Sequence, residues 1–270
     1  MRFIVILILI LAGLLTISCS SDNPLANEDA EVAQPPAFST VPDLVIAFPA
    51  EFSPEVYDTV EIEYLEETIL VYPLEQLIPA VIVASVNLED PIDQRPLYAY
   101  HVKAADFDPR DRSHIIADLH WTIFSQGHFL PDPINRVYFS LLPSYLSAYN
   151  VRNPELINVY RKIDVIIAEE EPVMYETDAM QKITVEYNDQ TVEAILLSDF
   201  ITDYLTTTPG YYNFILTDLY DQQYILSWEQ MESGYFIPVN DLAIFFTTEN
   251  SYPVEEIVIN HLYSIQLYEN

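Results

Sequence analysis

Two stretches of this chain repeat each other in order, and that repetition constrains the fold more than any single motif. Val60-Glu61-Ile62-Glu63-Tyr64 returns as Ile183-Thr184-Val185-Glu186-Tyr187, and, with no gap needed, Leu74-Glu75-Gln76-Leu77-Ile78 returns as Leu197-Ser198-Asp199-Phe200-Ile201. Tyr100 to Phe107 matches Tyr212 to Leu219, each a strand-like run reaching an aspartate, Asp106 or Asp218. Trp121 precedes Gly127-His128-Phe129-Leu130-Pro131 at the spacing by which Trp228 precedes Gly234-Tyr235-Phe236-Ile237-Pro238. These blocks hold both tryptophans and two of the four glycines of the chain. Each copy continues into an aromatic strand, Arg136 to Phe139 or Leu242 to Phe246, and closes with Leu156 to Ile166 or Val258 to Leu267.

Alternating β-branched and aromatic residues in Val60 to Tyr64, Tyr100 to Ala104, Ile183 to Tyr187 and Ile257 to Leu267 predict half-buried strands. Leu74 to Ile78 and Leu197 to Tyr204 predict short helices entered from a strand, with Ser198 as N-cap of the second. Trp121 and Trp228 are the expected core anchors. The fold class is therefore α+β and strand-rich, a tandem duplication with few short helices. Copies at 57–166 and 181–270 are joined by an acidic linker at 167–180.

The order of blocks is similar to the molybdopterin-binding domain of sulfite-oxidase-like proteins. The second copy carries the closer likeness, through Tyr212-Asn213-Phe214 to Asp218-Leu219-Tyr220 and Trp228-Glu229 to Ser233-Gly234-Tyr235, with Leu219 where the family has glycine. Catalytic members of the family ligate molybdenum through a cysteine thiolate and hold the pterin phosphate with arginines. Neither copy has a cysteine, so the resemblance implies a fold rather than redox catalysis.

The one cysteine lies elsewhere. Arg2, the apolar run Phe3 to Leu15 and Leu15-Thr16-Ile17-Ser18-Cys19 have the form of a signal peptide over 1–18, since ~20 apolar residues are needed to span the hydrocarbon core. A small residue directly before Cys19 resembles the bacterial lipobox, which implies lipidation at Cys19. Residues 19–56 are polar, acidic and proline-containing at their start and predict a disordered tether. Ser20 and the acidic residues after it point to the outer membrane or cell surface.

A formal charge of −32 argues against nucleic acid and anionic lipid surfaces. Apart from Arg2, every basic residue lies between Arg95 and Lys182, so the copies differ in charge. Arg95, Lys103, Arg110, Arg112, Arg136 and Arg152 concentrate in the first copy. If they converge, Arg110, Arg112, Arg136 and Arg152 are candidates to hold a phosphate or carboxylate by forked hydrogen bonds. Pairing with the abundant carboxylates is the plainer expectation.

His101, His114, His120 and His128 are interleaved with carboxylates, Asp106 among them, and imidazole with carboxylate suits a divalent ion. The spacing matches no zinc motif, and the repeat alignment sets His101 opposite Asn213 and His128 opposite Tyr235, as ordinary strand positions. Asp106-Phe107-Asp108-Pro109-Arg110-Asp111-Arg112 lacks the turn glycine and closing glutamate of a calcium loop. Phosphate loops and nucleophile elbows are absent from the sequence. The leading expectation is a membrane-anchored, non-catalytic module that needs no cofactor and binds an envelope protein or a small anionic ligand. The alternative is an oxidoreductase-like protein that holds molybdopterin or a divalent metal in the His/Asp/Arg-rich region of the first copy.

Overall fold

The computed structural model describes residues 42–49, 52–82, 92–104, 119–139, 150–168, 170–249 and 252–269, with side chains described outside 246–256. It opens with β1 (Leu44–Ala47), the hairpin β2 (Val60–Tyr64) and β3 (Glu67–Pro73), and 3-10 turns at Leu74–Leu77 and Arg95–Leu97. There follow β4 (Tyr98–Ala104), β5 (Leu119–His120), helix α1 (Trp121–Phe124), β6 (His128–Leu130), β7 (Arg136–Tyr138) and the long β8 (Pro154–Ile167). After β9 (Val173–Glu176) and a turn at Thr177–Ala179 the succession returns. It runs β10 (Ile183–Tyr187), β11 (Gln190–Leu196), turns at Leu197–Phe200 and Pro209–Tyr211, β12 (Tyr212–Asp218), β13 (Gln223–Leu226) and α2 (Trp228–Ser233). β14 (Tyr235–Ile237), a turn at Pro238–Asn240, β15 (Leu242–Glu249), β16 (Tyr252–Asn260) and β17 (Leu262–Glu269) complete the described chain, which is strand-rich with few helices.

Local chemistry accounts for the recurrence. Both hairpins turn on two left-handed residues, Leu65-Glu66 (φ 52° and 68°) and Asn188-Asp189 (φ 49° and 59°), the geometry that matches strand twist in two-residue loops. Each small sheet then adds strands in the same order, β2-β3-β6-β7 and β10-β11-β14-β15, the second extended by β16. Gly127 and Gly234 close the step from helix to strand. A Cβ would lie 2.4 Å from the Phe139 ring at Gly127 and 2.6 Å from the Leu197 side chain at Gly234, so both turns need hydrogen there.

The remaining strands form one eight-stranded sheet, hydrogen-bonded in the succession β13-β12-β17-β8-β4-β5, with β1 and β9 also paired to β8. The first half of β8 is antiparallel to β1 and β4, and its second half is antiparallel to β9 and parallel to β17. Ile157 and Val159 enter the first core beside Tyr100, Leu119 and Phe124. Ile163 and Val165 enter the second beside Phe214, Leu226 and Met231. Strand alternation places all four on one face of β8, so one strand carries both cores. Each fully buried Phe or Met contributes ~1.5–3 kcal/mol, which makes Phe124 and Met231 the strongest anchors of their helices.

Five expectations change in detail. The leucine-rich segments are 3-10 turns, and Ser198 lies inside its turn with Leu196 at the cap position, because the turn follows directly from β11. The side-chain cap is at Ser227 instead, where Ser227 and Gln230 form a reciprocal capping box on α2. Trp121 and Trp228 are only partly buried and cover their cores from outside. Within the acidic linker, Val173-Met174-Tyr175-Glu176 supplies an apolar run that β8 pairs as β9, with Tyr175 and Glu176 each 1% exposed. The tether expectation ends too late: Leu44-Val45-Ile46-Ala47 pairs with β8 as β1, and Phe48 and Phe52 pack on the first core.

Repeat register also shifts. Tyr100 faces Leu119 across β4–β5 and stacks on Phe124 at 4.6 Å. Phe214 faces Leu226 across β12–β13 and packs 5.7 Å from Trp228. Tyr100 therefore corresponds to Phe214, and Tyr98 to Tyr212, two residues from the alignment of the sequences. His101 then corresponds to Ile215, and Ala104 to Asp218.

Candidate functional site

The face of β8 turned away from the cores carries Asn158, Tyr160, Lys162 and Asp164, all buried. His101 lies opposite Asn158 on β4, and Glu176 lies opposite Lys162 on β9. Lys162 Nζ donates to Asp164 Oδ2 at 2.5 Å and stands 5.4 Å from the Tyr263 ring. His120 Nδ1 lies 3.6 Å from Asp164 Oδ2, and His101 Nε2 lies 3.5 Å from Glu176 Oε1. Burial lowers the Lys162 pKa, while the Asp164 carboxylate opposes that shift. This polar row binds β4, β5, β8 and β9 together, and a charge pair of this kind holds only while both partners remain.

Thus the structure brings His101 and His120 to one sheet face, each beside a carboxylate. His128 is on β6 in the first small sheet, where burial lowers its pKa and Glu75 opposes the shift. His114, Asp106, Arg110, Arg112 and Cys19 lie outside the described residues. Among the described residues, no three His, Cys, Asp or Glu side chains are grouped to hold a metal.

Arg136 and Arg152 do meet, as opposed residues of an isolated antiparallel bridge. Directly opposed residues place their side chains on the same face. Arg136 Nη1 donates to the Tyr64 hydroxyl at 3.4 Å, and the Tyr64 and Tyr138 rings meet edge to face at 5.1 Å. The β6–β7 and β14–β15 registers equate Arg136 with Leu242, Tyr138 with Ile244 and His128 with Tyr235. In the second copy those positions form an apolar cluster with Ile237 and Ala194. The same surface is cationic and aromatic in the first copy and apolar in the second.

A second correspondence was not visible in the motifs. Asn135 and Asp241, each directly before β7 or β15, are both left-handed, as are Asn153 and His261, each directly before β8 or β17. Asn153 N–H donates to the Asn135 carbonyl at 3.0 Å, and His261 N–H donates to the Asp241 carbonyl at 2.8 Å. The side chains meet too: Asn135 Nδ2 donates to Asn153 Oδ1 at 3.3 Å, and His261 Nδ1 lies 2.7 Å from Asp241 Oδ2.

In the second copy Arg161 of β8 occupies this place. Its Nε and Nη2 donate to Asp241 Oδ1 at 2.9 and 2.7 Å, and Nη2 also donates to the Leu262 carbonyl at 2.5 Å. Nη1 donates to the Leu97 carbonyl at 3.2 Å and to the Lys162 carbonyl. All five guanidinium donors are engaged. The group also stands 5.5 Å from the Phe236 ring. Arg161 is 5% exposed and ties the turn before β4 to β17, so it locks the two copies along their seam.

In the first copy the corresponding residues instead border a cleft of about 590 Å³, lined by Phe48, Phe52, Phe129, Asn135, Asn153 and Glu155. Pro131, Asp132 and Pro154 also line it. Carrying the repeat comparison through to the residue before each strand would have found Asn135, Asn153, Asp241 and His261. Arg161 left no such sign, because its equivalent at the end of the second copy is Glu269.

Comparison with protein-family models, with curated proteins and with solved structures gave no match.

Proposed function

We propose that this chain is a lipid-anchored, non-catalytic binding or assembly module of the bacterial envelope, outer membrane or cell surface, with Cys19 as the lipidated residue. It is built from a tandem duplication of an α+β unit similar to the molybdopterin-binding domain of sulfite-oxidase-like proteins, and the first copy is the one that binds. The carrying observation is the contrast at matched positions. Arg136 and Tyr138 stand in the first copy where Leu242 and Ile244 of an apolar cluster stand in the second, and Arg152 stands where the second has the uncharged Asn260.

Arg136 and Arg152 are opposed across a β-bridge, which sets two cations on one face. That favours a carboxylate or phosphate ligand, free or on an envelope protein, at this face. The buried cation Lys162 is matched by Asp164, and Arg161 by Asp241, which supports a structural role for both. The cysteine that ligates molybdenum in the family has no counterpart in either copy.

Anchoring is tested by labelling with radioactive palmitate: label on the native chain and none on Cys19→Ser is the expected result, and equal labelling would overturn it. For the ligand, inorganic phosphate binding to the full chain should fall when Arg136 and Arg152 are both changed to Gln. Binding that survives the double change would remove this face as the site. Stoichiometric molybdopterin or metal in purified protein would favour an oxidoreductase-like protein instead.

A further inference from the structure

We infer that the sheet face around Arg136 binds a carboxylate carried on an aromatic ring, the acid group on the free edge of the Arg136 guanidinium and the ring against Tyr138. This rests on the reading of that face as an anion site and names its ligand class. In a chain with 42 acidic residues against 10 Lys and Arg, a cation that meets no carboxylate is the exception. Arg95, Arg161, Lys162 and Lys182 each meet one at 2.5 to 2.8 Å. Among the described residues Arg136 and Arg152 make no ion pair, although they are opposed across a bridge and share one face.

The guanidinium of Arg136 is only half used. Nη1 donates to the Tyr64 hydroxyl at 3.4 Å, while Nε is shielded from solvent and has no hydrogen-bond partner. Nε and Nη2 form the edge that forks a carboxylate with two parallel hydrogen bonds. A buried donor is ordinarily satisfied, so an orphan on that edge marks a place for an acceptor. On the same face β6 sets His128 opposite Tyr138, and Leu130, fully buried, opposite Arg136. His128 Nδ1 is likewise shielded and without a partner. Burial lowers the His128 pKa against the pull of Glu75, so the ring is uncharged at neutral pH and adds no third cation. Packing alone does not require these groups: Tyr235, Ile237, Leu242 and Ile244 hold the matching positions of the second half in an apolar cluster.

Shape and charge select the ligand. A carboxylate is planar and matches the two in-plane donors of the Nε–Nη2 edge. Phosphate carries up to two negative charges near neutral pH and is repelled more strongly by a protein of charge −32. The Tyr64 and Tyr138 rings, edge to face at 5.1 Å, put aromatic surface beside the guanidinium, which a ring-bearing acid can cover and acetate cannot. Arg152, exposed on the same face, supplies the second charge.

The test is fluorine NMR titration of para-fluorobenzoate with the full chain in detergent, with protein-free micelles as the blank and benzoate, acetate, benzamide and inorganic phosphate as competitors. Benzoate should displace the probe at several-fold lower concentration than acetate or phosphate, and benzamide should not displace it. Arg136→Lys, which keeps the charge and loses the fork, should weaken binding about tenfold. Arg152→Gln, at an exposed position, should weaken it several-fold, and Lys182→Gln, at a cation already paired with Asp178, should leave it unchanged. Displacement by benzamide equal to that by benzoate, phosphate displacing the probe more readily than benzoate, or unchanged binding in both arginine variants would overturn the inference. If para-fluorobenzoate does not bind but phosphate does, and phosphate is lost in Arg136→Gln/Arg152→Gln, only the aromatic acid fails and the anion face stands. Binding of neither removes both.

Discussion

The two halves of like strand order place the same backbone pair before corresponding strands and use it differently. In the second, Asp241 holds both Arg161 and His261, whose side chains are 6% and 7% exposed, and is itself partly buried. In the first, Asn135 and Asn153 meet only each other and line an open cleft. Two halves of like strand order thus differ in whether the matching pair holds an arginine or borders a cleft. The second half also has the capping box of α2, the extra strand β16 and a buried apolar cluster of Ala194, Ile237 and Ile244. The first has a shorter helix with His120 at an N-cap position that makes no side-chain cap, and a charged outer face.

The largest difference should appear on breaking the two pairs in parallel. Arg161→Ala leaves the partly buried Asp241 without its buried cation and the Leu97 and Leu262 carbonyls without their donor, and is expected to cost ~3 kcal/mol in urea unfolding. Asn135→Gly, which keeps the left-handed backbone, removes one exposed hydrogen bond and is expected to cost about 1 kcal/mol or less. Equal costs would break the contrast.

Next comes the polar row of β8. Lys162→Met leaves Asp164 buried beside an apolar side chain and should cost about 3 kcal/mol, most of which Lys162→Met/Asp164→Leu should recover. The sign with pH follows from the lowered Lys162 pKa. A depressed folded value means that the lysine's stabilising share is full above its unfolded pKa and shrinks as pH falls through the folded one. The penalty of Lys162→Met should therefore grow as the solution is made alkaline.

Smaller effects sharpen the comparison of the helices and small sheets. Ser227→Ala removes the N-cap of α2 and should cost ~1 kcal/mol in thermal unfolding. A change under a few tenths would make the capping box irrelevant. His128→Tyr installs the residue of the second repeat. Because burial lowers the His128 pKa, its share of stability is present above the unfolded value and is lost as pH falls through the folded one. The variant should hold its melting temperature better in mild acid, and identical acid limbs would contradict this.

Much of the architecture was legible because strands announce themselves by alternation and the Trp and Gly blocks recur at fixed spacing. Both hairpins, both small sheets and the closing strands lie where the repeated blocks fall. The register of β4 against β12 was not legible: with tyrosines at both Tyr98 and Tyr100, sequence similarity cannot choose, and contact with Phe124 decides. β9 hid behind the acidic run at Glu169 to Glu171, since only the long edge of β8 makes Val173 to Glu176 a strand. At the site, Arg136 and Arg152 were named from charge, and His101 and His120 from their cluster. Arg161 escaped because its partners Leu97, Asp241 and Leu262 are distant in sequence and meet only at the seam.

Whether the place of Arg161 is built to hold a guanidinium group is tested most directly by chemical rescue. Thermal unfolding of Arg161→Ala would be followed with and without ethylguanidinium, and with ethylurea as the uncharged control. The expected result is that ethylguanidinium restores part of the lost stability, ethylurea does not, and the native chain gains nothing at its already filled pocket. No response to ethylguanidinium, or an equal response to ethylurea, would contradict a pocket built to hold that group.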